Sequence, residues 1–307
     1  MFRKTGTLLT AALLGLTATV GWAGPAAAAP SAAADAPTFS LSRLVLEPTE
    51  RGYRGSLRVT ITNNSDSTDG FYFQIREPVA ASFAGGPESH CDPDGVSEGR
   101  LVRSCGLPQG NELAAGESRR APVEFQVLTT PRSYPMIATD GSITVYSWKF
   151  GSLGTVPFSA QFRSLDGKLA RPQTYVQDTQ PDASIELAGP VTDGPENTRR
   201  VPLRVRYAGD AANFGLSVRA TPLPAGSMIL HTDPWDGPVY SERAFVPGGQ
   251  LMAGEEREIA LLISRPTDPA DETAPINLEL STDWVETVPD IDPSDNTVTF
   301  NLALPTS

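Results

Sequence analysis

Cysteine and histidine are almost missing from this chain: Cys91, Cys105, His90 and His231 are the only four such residues in 307. Zinc sites of clustered Cys and His ligands are excluded by so short a supply, and a histidine base has two places to stand. Lysine is nearly as scarce, at Lys4, Lys149 and Lys168. Acids outnumber bases by 36 to 24, for a formal charge of −12, and no basic stripe offsets them. Such a chain repels phosphate backbones, so nucleic acid is not among its expected partners. Beyond the first 29 residues no segment carries the 3.6 period of an amphipathic helix, and no apolar run approaches the ~20 residues that span a bilayer.

What is present begins with a leader. Arg3 and Lys4 precede a mostly apolar run from Leu8 to Val20, and Ala26 to Ala29 offer small residues for cleavage. We read residues 1–28 as a secretory signal peptide, cut after Ala28 because Pro30 is poorly placed for a cut after Ala29. No cysteine precedes Cys91 and no twin arginine occurs, so the expectation is release from the cell without a lipid anchor. Cleavage leaves 279 residues and takes the charge to −14, because Arg3 and Lys4 depart with no acid. That length suits two domains of about 100 to 150 residues.

The mature chain is patterned as strands. Leu57, Val59 and Ile61 alternate with Arg58, Thr60 and Thr62, and Phe71, Phe73 and Ile75 alternate again after the polar loop 63–70. The stretch Leu113-Ala114-Ala115-Gly116-Glu117, a turn feeding the strand of Val123, Phe125 and Val127, returns 138 residues later as Leu251-Met252-Ala253-Gly254-Glu255. Leu57-Arg58-Val59 likewise returns as Leu203-Arg204-Val205, 146 residues on. Period-2 alternation with glycine at the turns, repeated once, predicts an all-β chain of two tandem immunoglobulin-like β-sandwich domains. The expected boundaries are a flexible leader at 29–37, a first sandwich at 38–163, a linker at 164–182 and a second sandwich at 183–307.

Both cysteines fall in an insertion of the first module. In an exported chain without nearby thiol chemistry, Cys91 and Cys105 are expected to form one disulfide, closing a loop of about 15 residues worth ~3 kcal/mol in the chain-entropy view. The two are too close to bridge the sheets as in antibody domains.

The order Cys91, then Cys105-Gly106-Leu107, then Leu113-x-x-Gly116 and an alternating strand resembles the immunoglobulin-like repeat domains of unknown function found in bacterial surface and secreted proteins. The end of the second module, Asp290-Ile291-Asp292-Pro293-Ser294-Asp295-Asn296 before Thr297 to Leu304, is similar to the closing acidic turn of those repeats and of the related cell-adhesion domains of the CARDB type. The first module lacks the acidic turn and the second lacks the cysteines. The resemblance implies an extracellular sandwich with a structural, spacer or adhesive role and no catalytic residues to carry over.

Three features invite chemistry. Gly95-Val96-Ser97-Glu98-Gly99 fits the G-x-S-x-G pattern of hydrolase nucleophiles, which requires a strand-to-helix turn and a histidine in reach; no helix is expected here. Asp290, Asp292, Asp295 and Asn296 crowd oxygens enough for Ca²⁺, although turn hydrogen bonding explains the same residues. Trp148, Trp235 and Trp284 could together form an aromatic platform for a sugar; Trp235, in a Pro- and Gly-bounded loop, is the better candidate for an exposed ligand contact, whereas Trp148 and Trp284 end corresponding strands and are expected to pack on the core or an edge. The composite expectation is a secreted, noncatalytic protein with no cofactor other than Ca²⁺, binding an extracellular protein or a cell-wall polysaccharide. The alternatives are a secreted hydrolase on an unfamiliar β fold and a carbohydrate-binding or inhibitor accessory protein.

Overall fold

The structure is a computed structural model, and it describes residues 35–84, 90–283 and 288–304. The signal peptide, most of the leader and Trp284 therefore lie outside the described residues. Among the described residues every regular element is a strand apart from one 3-10 turn, Pro269–Thr273. The alternating apolar residues explain this for longer strands such as Gly52–Thr62, Asp69–Arg76 and Ser118–Val127, where one face is buried and period 2 leaves the other to water, whereas Glu255–Ser264 is buried on both faces over residues 259–263.

The N-terminal half contains β1 (Thr38–Leu41), β2 (Leu44–Thr49), β3 (Gly52–Thr62), β4 (Asp69–Arg76), β5 (Cys91–Ser97) and β6 (Arg100–Cys105). It continues with β7 (Glu112–Leu113), β8 (Ser118–Val127), β9 (Met136–Ser147), β10 (Gly151–Phe162) and β11 (Gln173–Thr174). One sheet sets β1 and β8 on either side of β3. The other runs β10, β9, β4, β6, β5. Strand β2 belongs to both: Leu44–Leu46 pair parallel with β10, and Glu47–Thr49 pair with β3. This is the immunoglobulin arrangement, with a kinked first strand and the β5–β6 hairpin widening the second sheet. Leu57, Val59, Ile61, Phe71, Phe73 and Ile75 all enter one core.

The C-terminal half contains β12 (Ala183–Leu187), β13 (Thr192–Asp193), β14 (Thr198–Tyr207), β15 (Leu216–Thr221), β16 (Ile229–Asp233), β17 (Arg243–Phe245), β18 (Glu255–Ser264), β19 (Ile276–Thr282) and β20 (Thr297–Phe300). Its sheets run β12, β14, β18, β16 and β17, β15, β19, β20 around a second core. The sequence repeats fall on matching strands, β3 with β14 and β8 with β18. Their pairing is offset by two residues, since Leu57 faces Val123 whereas Leu203 faces Ile259, the counterpart of Ala121. A slip of two keeps the same side chains on the core face, so it costs no burial.

Pro157 meets the expectation of an edge: β10 is paired on one side only along that stretch and joins β2 only at 160–162. The segment 164–182 runs between the two cores and is held along its length. Its β11 pairs parallel with β9, and the Tyr175 ring packs 4.9 Å from that of Phe162. Asp210, from the C-terminal half, accepts hydrogen bonds from Thr129 Oγ1 (2.6 Å), the Tyr175 hydroxyl (2.8 Å) and the Asp178 amide (2.9 Å). Gln177 ties the same segment to the Ala80 amide and carbonyl. Arg51, on the β2–β3 turn, reaches Gln250 O at 2.8 Å and Glu255 at 3.0 Å, so the repeated turn of the second half docks on the first.

Candidate interaction surface

Cys91 and Cys105 are bonded to each other and face one another across β5 and β6. The inserted loop is thus a hairpin added to the sheet, and the disulfide staples its open end. The G-x-S-x-G stretch forms the tight end of that hairpin: Ser97 closes β5, and Glu98 and Gly99 take positive φ of 52° and 67°. Strand β6 follows, where a nucleophile elbow leads into a helix. His90 immediately precedes β5, whereas His231 lies in β16 of the other half with its Nδ1 3.2 Å from the Thr232 carbonyl oxygen.

The acidic turn precedes β20 and is closed by its own side chains. Asp290 accepts from the Ala183 and Asp292 amides at 3.0 Å each, and Asp292 accepts from the Ser294 amide and hydroxyl at 3.1 and 2.6 Å. The two bonds from Ser294 hold the Asp292 carboxyl below its ordinary range. Asp295 is pushed the other way, by desolvation first and then by Asp292, Asp290 and Asp182. Asn296 is buried and its Oδ1 has no hydrogen-bond partner. Among the described residues no three acidic, His or Cys side chains converge in the manner of a metal site.

Trp235 is 81% exposed, on a loop anchored by Thr232 Oγ1 to Pro234 O (2.9 Å) and by the Gly248 amide to Asp236 (3.0 Å). A second exposed aromatic group lies in the N-terminal half, around Trp148, for which the sequence reading favoured packing over a sugar platform. In β4 the core takes Phe71, Phe73 and Ile75, which leaves Gly70, Tyr72, Gln74 and Arg76 on the outer face. In β9 the core takes Ile143 and Val145, which leaves Thr144 and Tyr146 outside, followed by Trp148 in the turn. Register brings Tyr72 opposite Tyr146, and their rings stack at 4.8 Å with 10° between planes. Trp148 donates its amide to Gly70 O at 2.9 Å and lays its indole against Gly70, where a Cβ would come within 2.2 Å of the ring. The glycine is there for close approach, and the indole remains 60% exposed. The signal was in the sequence: Tyr72-Gln74 and Thr144-Tyr146-Trp148 place aromatic rings on the polar phase of the alternation.

The turn that carries Trp148 is rigid for a stated reason. Asp69 is buried and accepts from the Gly70 amide (2.7 Å), the Lys149 amide (3.2 Å) and the Ser147 hydroxyl. Ser147 Oγ in turn accepts from the Phe150 amide at 2.9 Å, and Lys149 Nζ reaches Ser67 Oγ at 2.8 Å. Between the two halves lies a cleft of about 460 Å³ lined in part by Glu98, Asp140, Asp178, Arg100, Tyr175 and Gln177. Its charges are already engaged, since Arg100 pairs with Asp140 at 2.8 Å and Asp178 is bonded to the Asp210 amide at 2.9 Å.

No family model matches this chain, and no curated protein does. Among solved structures it is similar to an ASH/PapD-like domain of human CEP192, at 11% identity over 44% of this chain and 89% of that one, with a TM-score of 0.23. It is similar also to a protein of unknown function from Porphyromonas gingivalis W83, at 14% identity over 87% of this chain and 97% of that one, with a TM-score of 0.22. A third is the CsuC–CsuE chaperone–tip adhesion subunit pre-assembly complex of the Csu pili of Acinetobacter baumannii, at 10% identity over 85% of this chain and 97% of that one, with a TM-score of 0.23.

Proposed function

We propose that this is an exported, noncatalytic binding protein whose joined sandwiches hold exposed aromatic side chains for contact with an extracellular partner. The observation that supports this is the pairing of exposure with rigidity: Trp148 and Trp235 stay 60% and 81% exposed on turns fixed by hydrogen bonds. Large aromatic side chains are costly to leave in water and contribute most when they fill a contact. Fixing them in advance removes the ordering cost of binding. The closer likeness to adhesion repeats of the CARDB type belongs to the same proposal. So does Ca²⁺ at the 290–296 turn, where Asp290, Asp292 and Asp295 have no cationic partner among the described residues and where Asn296 Oδ1 is unpartnered.

The test is co-sedimentation of the mature protein with bacterial cell walls, chitin and cellulose, each with calcium and again with a chelator. Association with any of them supports the binding reading, and loss of it in chelator assigns the metal to the acidic turn once Asp290→Asn and Asp295→Asn reproduce that loss. A protein that remains in the supernatant throughout and captures no envelope protein on cross-linking overturns it.

A further inference from the structure

We propose that the outer face of the β4–β9 pair is a glycan-binding platform, on which Trp148, Tyr146 and Tyr72 take a neutral polysaccharide. The inference rests on the binding reading above and names the ligand class for one surface of it. Its first support is the disposition of the indole. The indole lies against the bare backbone of Gly70, Trp148 is 60% exposed, and its turn is pinned by the hydrogen bonds to Asp69. A flat, immobile aromatic face suits the C–H face of a pyranose ring, and binding there costs little side-chain ordering.

The second support is the set of polar groups beside the indole. The Tyr146 hydroxyl donates to Gln74 Oε1 at 2.9 Å, and Gln74 Nε2 donates to Asp94 at 2.6 Å, so the Tyr146 ring is braced and Tyr72 stacks on it. Thr144 and Thr155 share a hydrogen bond at 2.7 Å on the next rung, and Ser152 is opposite Tyr146 on β10. Strand alternation spaces these rungs by about 7 Å, so the row presents aromatic and hydroxyl groups in sequence along one strand direction. Sugars require this combination, an apolar ring face with a rim of hydroxyls that must keep hydrogen bonds when they leave water.

Charge selects among glycans. The row itself consists of indole, phenol, amide and hydroxyl groups; its charged neighbours on that face are Asp94 at Gln74 and the Arg76–Glu98 ion pair at 2.6 Å, in a chain of net charge −12. An anionic polymer is repelled by such a surface, whereas a neutral one meets no penalty. The same balance disfavours an anionic lipid surface, since the Trp148–Phe150 turn offers one cation, Lys149, already bonded to Ser67.

The experiment is native affinity electrophoresis of the mature protein in gels carrying a soluble neutral β-glucan, xylan or glucomannan, with pull-down on insoluble cellulose and chitin. The wild type is expected to be retarded by at least one of them, to the same extent at high salt. Trp148→Ala is expected to weaken binding roughly tenfold or more, with Tyr72→Ala weaker as well. Gly70→Val, which displaces the indole without removing it, is expected to reproduce the loss while near-ultraviolet circular dichroism and melting confirm folding. Retention of binding in Trp148→Ala, or its loss only in Trp235→Ala, overturns the platform and leaves the binding reading intact. Cell-wall association with no retardation by any neutral glycan overturns the ligand class alone. Trp148-dependent binding to lipid vesicles without glycan binding overturns it in favour of a membrane. Absence of every association ends both readings.

Discussion

Glu77 shows how much one side chain can hold. It is fully buried, and its two oxygens accept from the Ala81 amide (2.9 Å), the Leu101 amide (2.8 Å) and the Ser82 amide (2.9 Å), joining the 78–84 loop to β6. Those donors favour the carboxylate, but burial outweighs them and pushes the group up to about 7 from an ordinary value of 4.5. A folded-state value above the unfolded one means that protonation favours the fold. The stabilisation is complete below about pH 4.5 and is lost as pH rises through 7, worth roughly 3 kcal/mol across that window. The melting temperature is therefore expected to fall between pH 5.5 and pH 8. Glu77→Gln is expected to flatten that dependence and to lower stability at pH 5.5, because an amide NH₂ replaces one acceptor. A scanning calorimetry series on both proteins checks this; equal slopes would reject it. Glu255 and Glu272, held low against desolvation by their arginine partners, lose their contribution only at more acidic pH, outside that window.

At the scale of elements, the repeated turn explains why the second half resembles the first. In both turns the glutamate accepts from the amide three residues before it, Ala114 to Glu117 at 2.9 Å and Met252 to Glu255 at 2.8 Å. An arginine two residues later then clamps the preceding loop. Arg119 donates to Gly110 O at 2.6 Å and Pro108 O at 3.3 Å, and Arg257 donates to Pro247 O, Gly249 O and Gln250 O at 2.6, 2.8 and 2.9 Å. The sequence comparison picked out the glycine and glutamate but not Arg119 and Arg257, because a fork of donors to two carbonyls in the first turn and three in the second is visible only once the loop has folded back. Replacing Arg257 by alanine takes the arginine donors from Pro247 O and Gly249 O and leaves Gln250 O to Arg51 alone, at an expected cost of ~2 kcal/mol in urea unfolding. Arg257→Lys is expected to recover little, since an ammonium lacks the planar fork.

For the whole molecule, Asp210 joins the C-terminal half to the N-terminal half. Thr129, Tyr175 and Asp178 all donate to its carboxylate, and the Tyr175 phenol is pushed well above its ordinary range by burial first and by Asp210 next. Asp210→Ala removes the shared acceptor from three donors at once. The expected result is a larger radius of gyration in small-angle X-ray scattering and the separation of one thermal transition into two, with each core retaining its own protected amides. A single transition and an unchanged scattering curve would mean that Arg51 and the Ala253–Leu128 backbone bond suffice to hold the joint.

The sequence by itself determined the strand phase, the turns, the Cys91–Cys105 bridge and the repetition of one module, because each is written in residues close in the chain. Alternation chooses which side chains face a core, and glycine with aspartate or asparagine chooses where the chain reverses. Tertiary structure alone decided that Trp148 lies on Gly70, that Glu77 is sealed under the loop beside β6, and that Asp210 gathers donors from Thr129, Tyr175 and Asp178. These partners are separated by 78, 24 and, for Thr129, 81 residues respectively. Their meeting depends on which strands pair and how the sheets close, and that choice is made by burying two whole cores, not by any local run of residues.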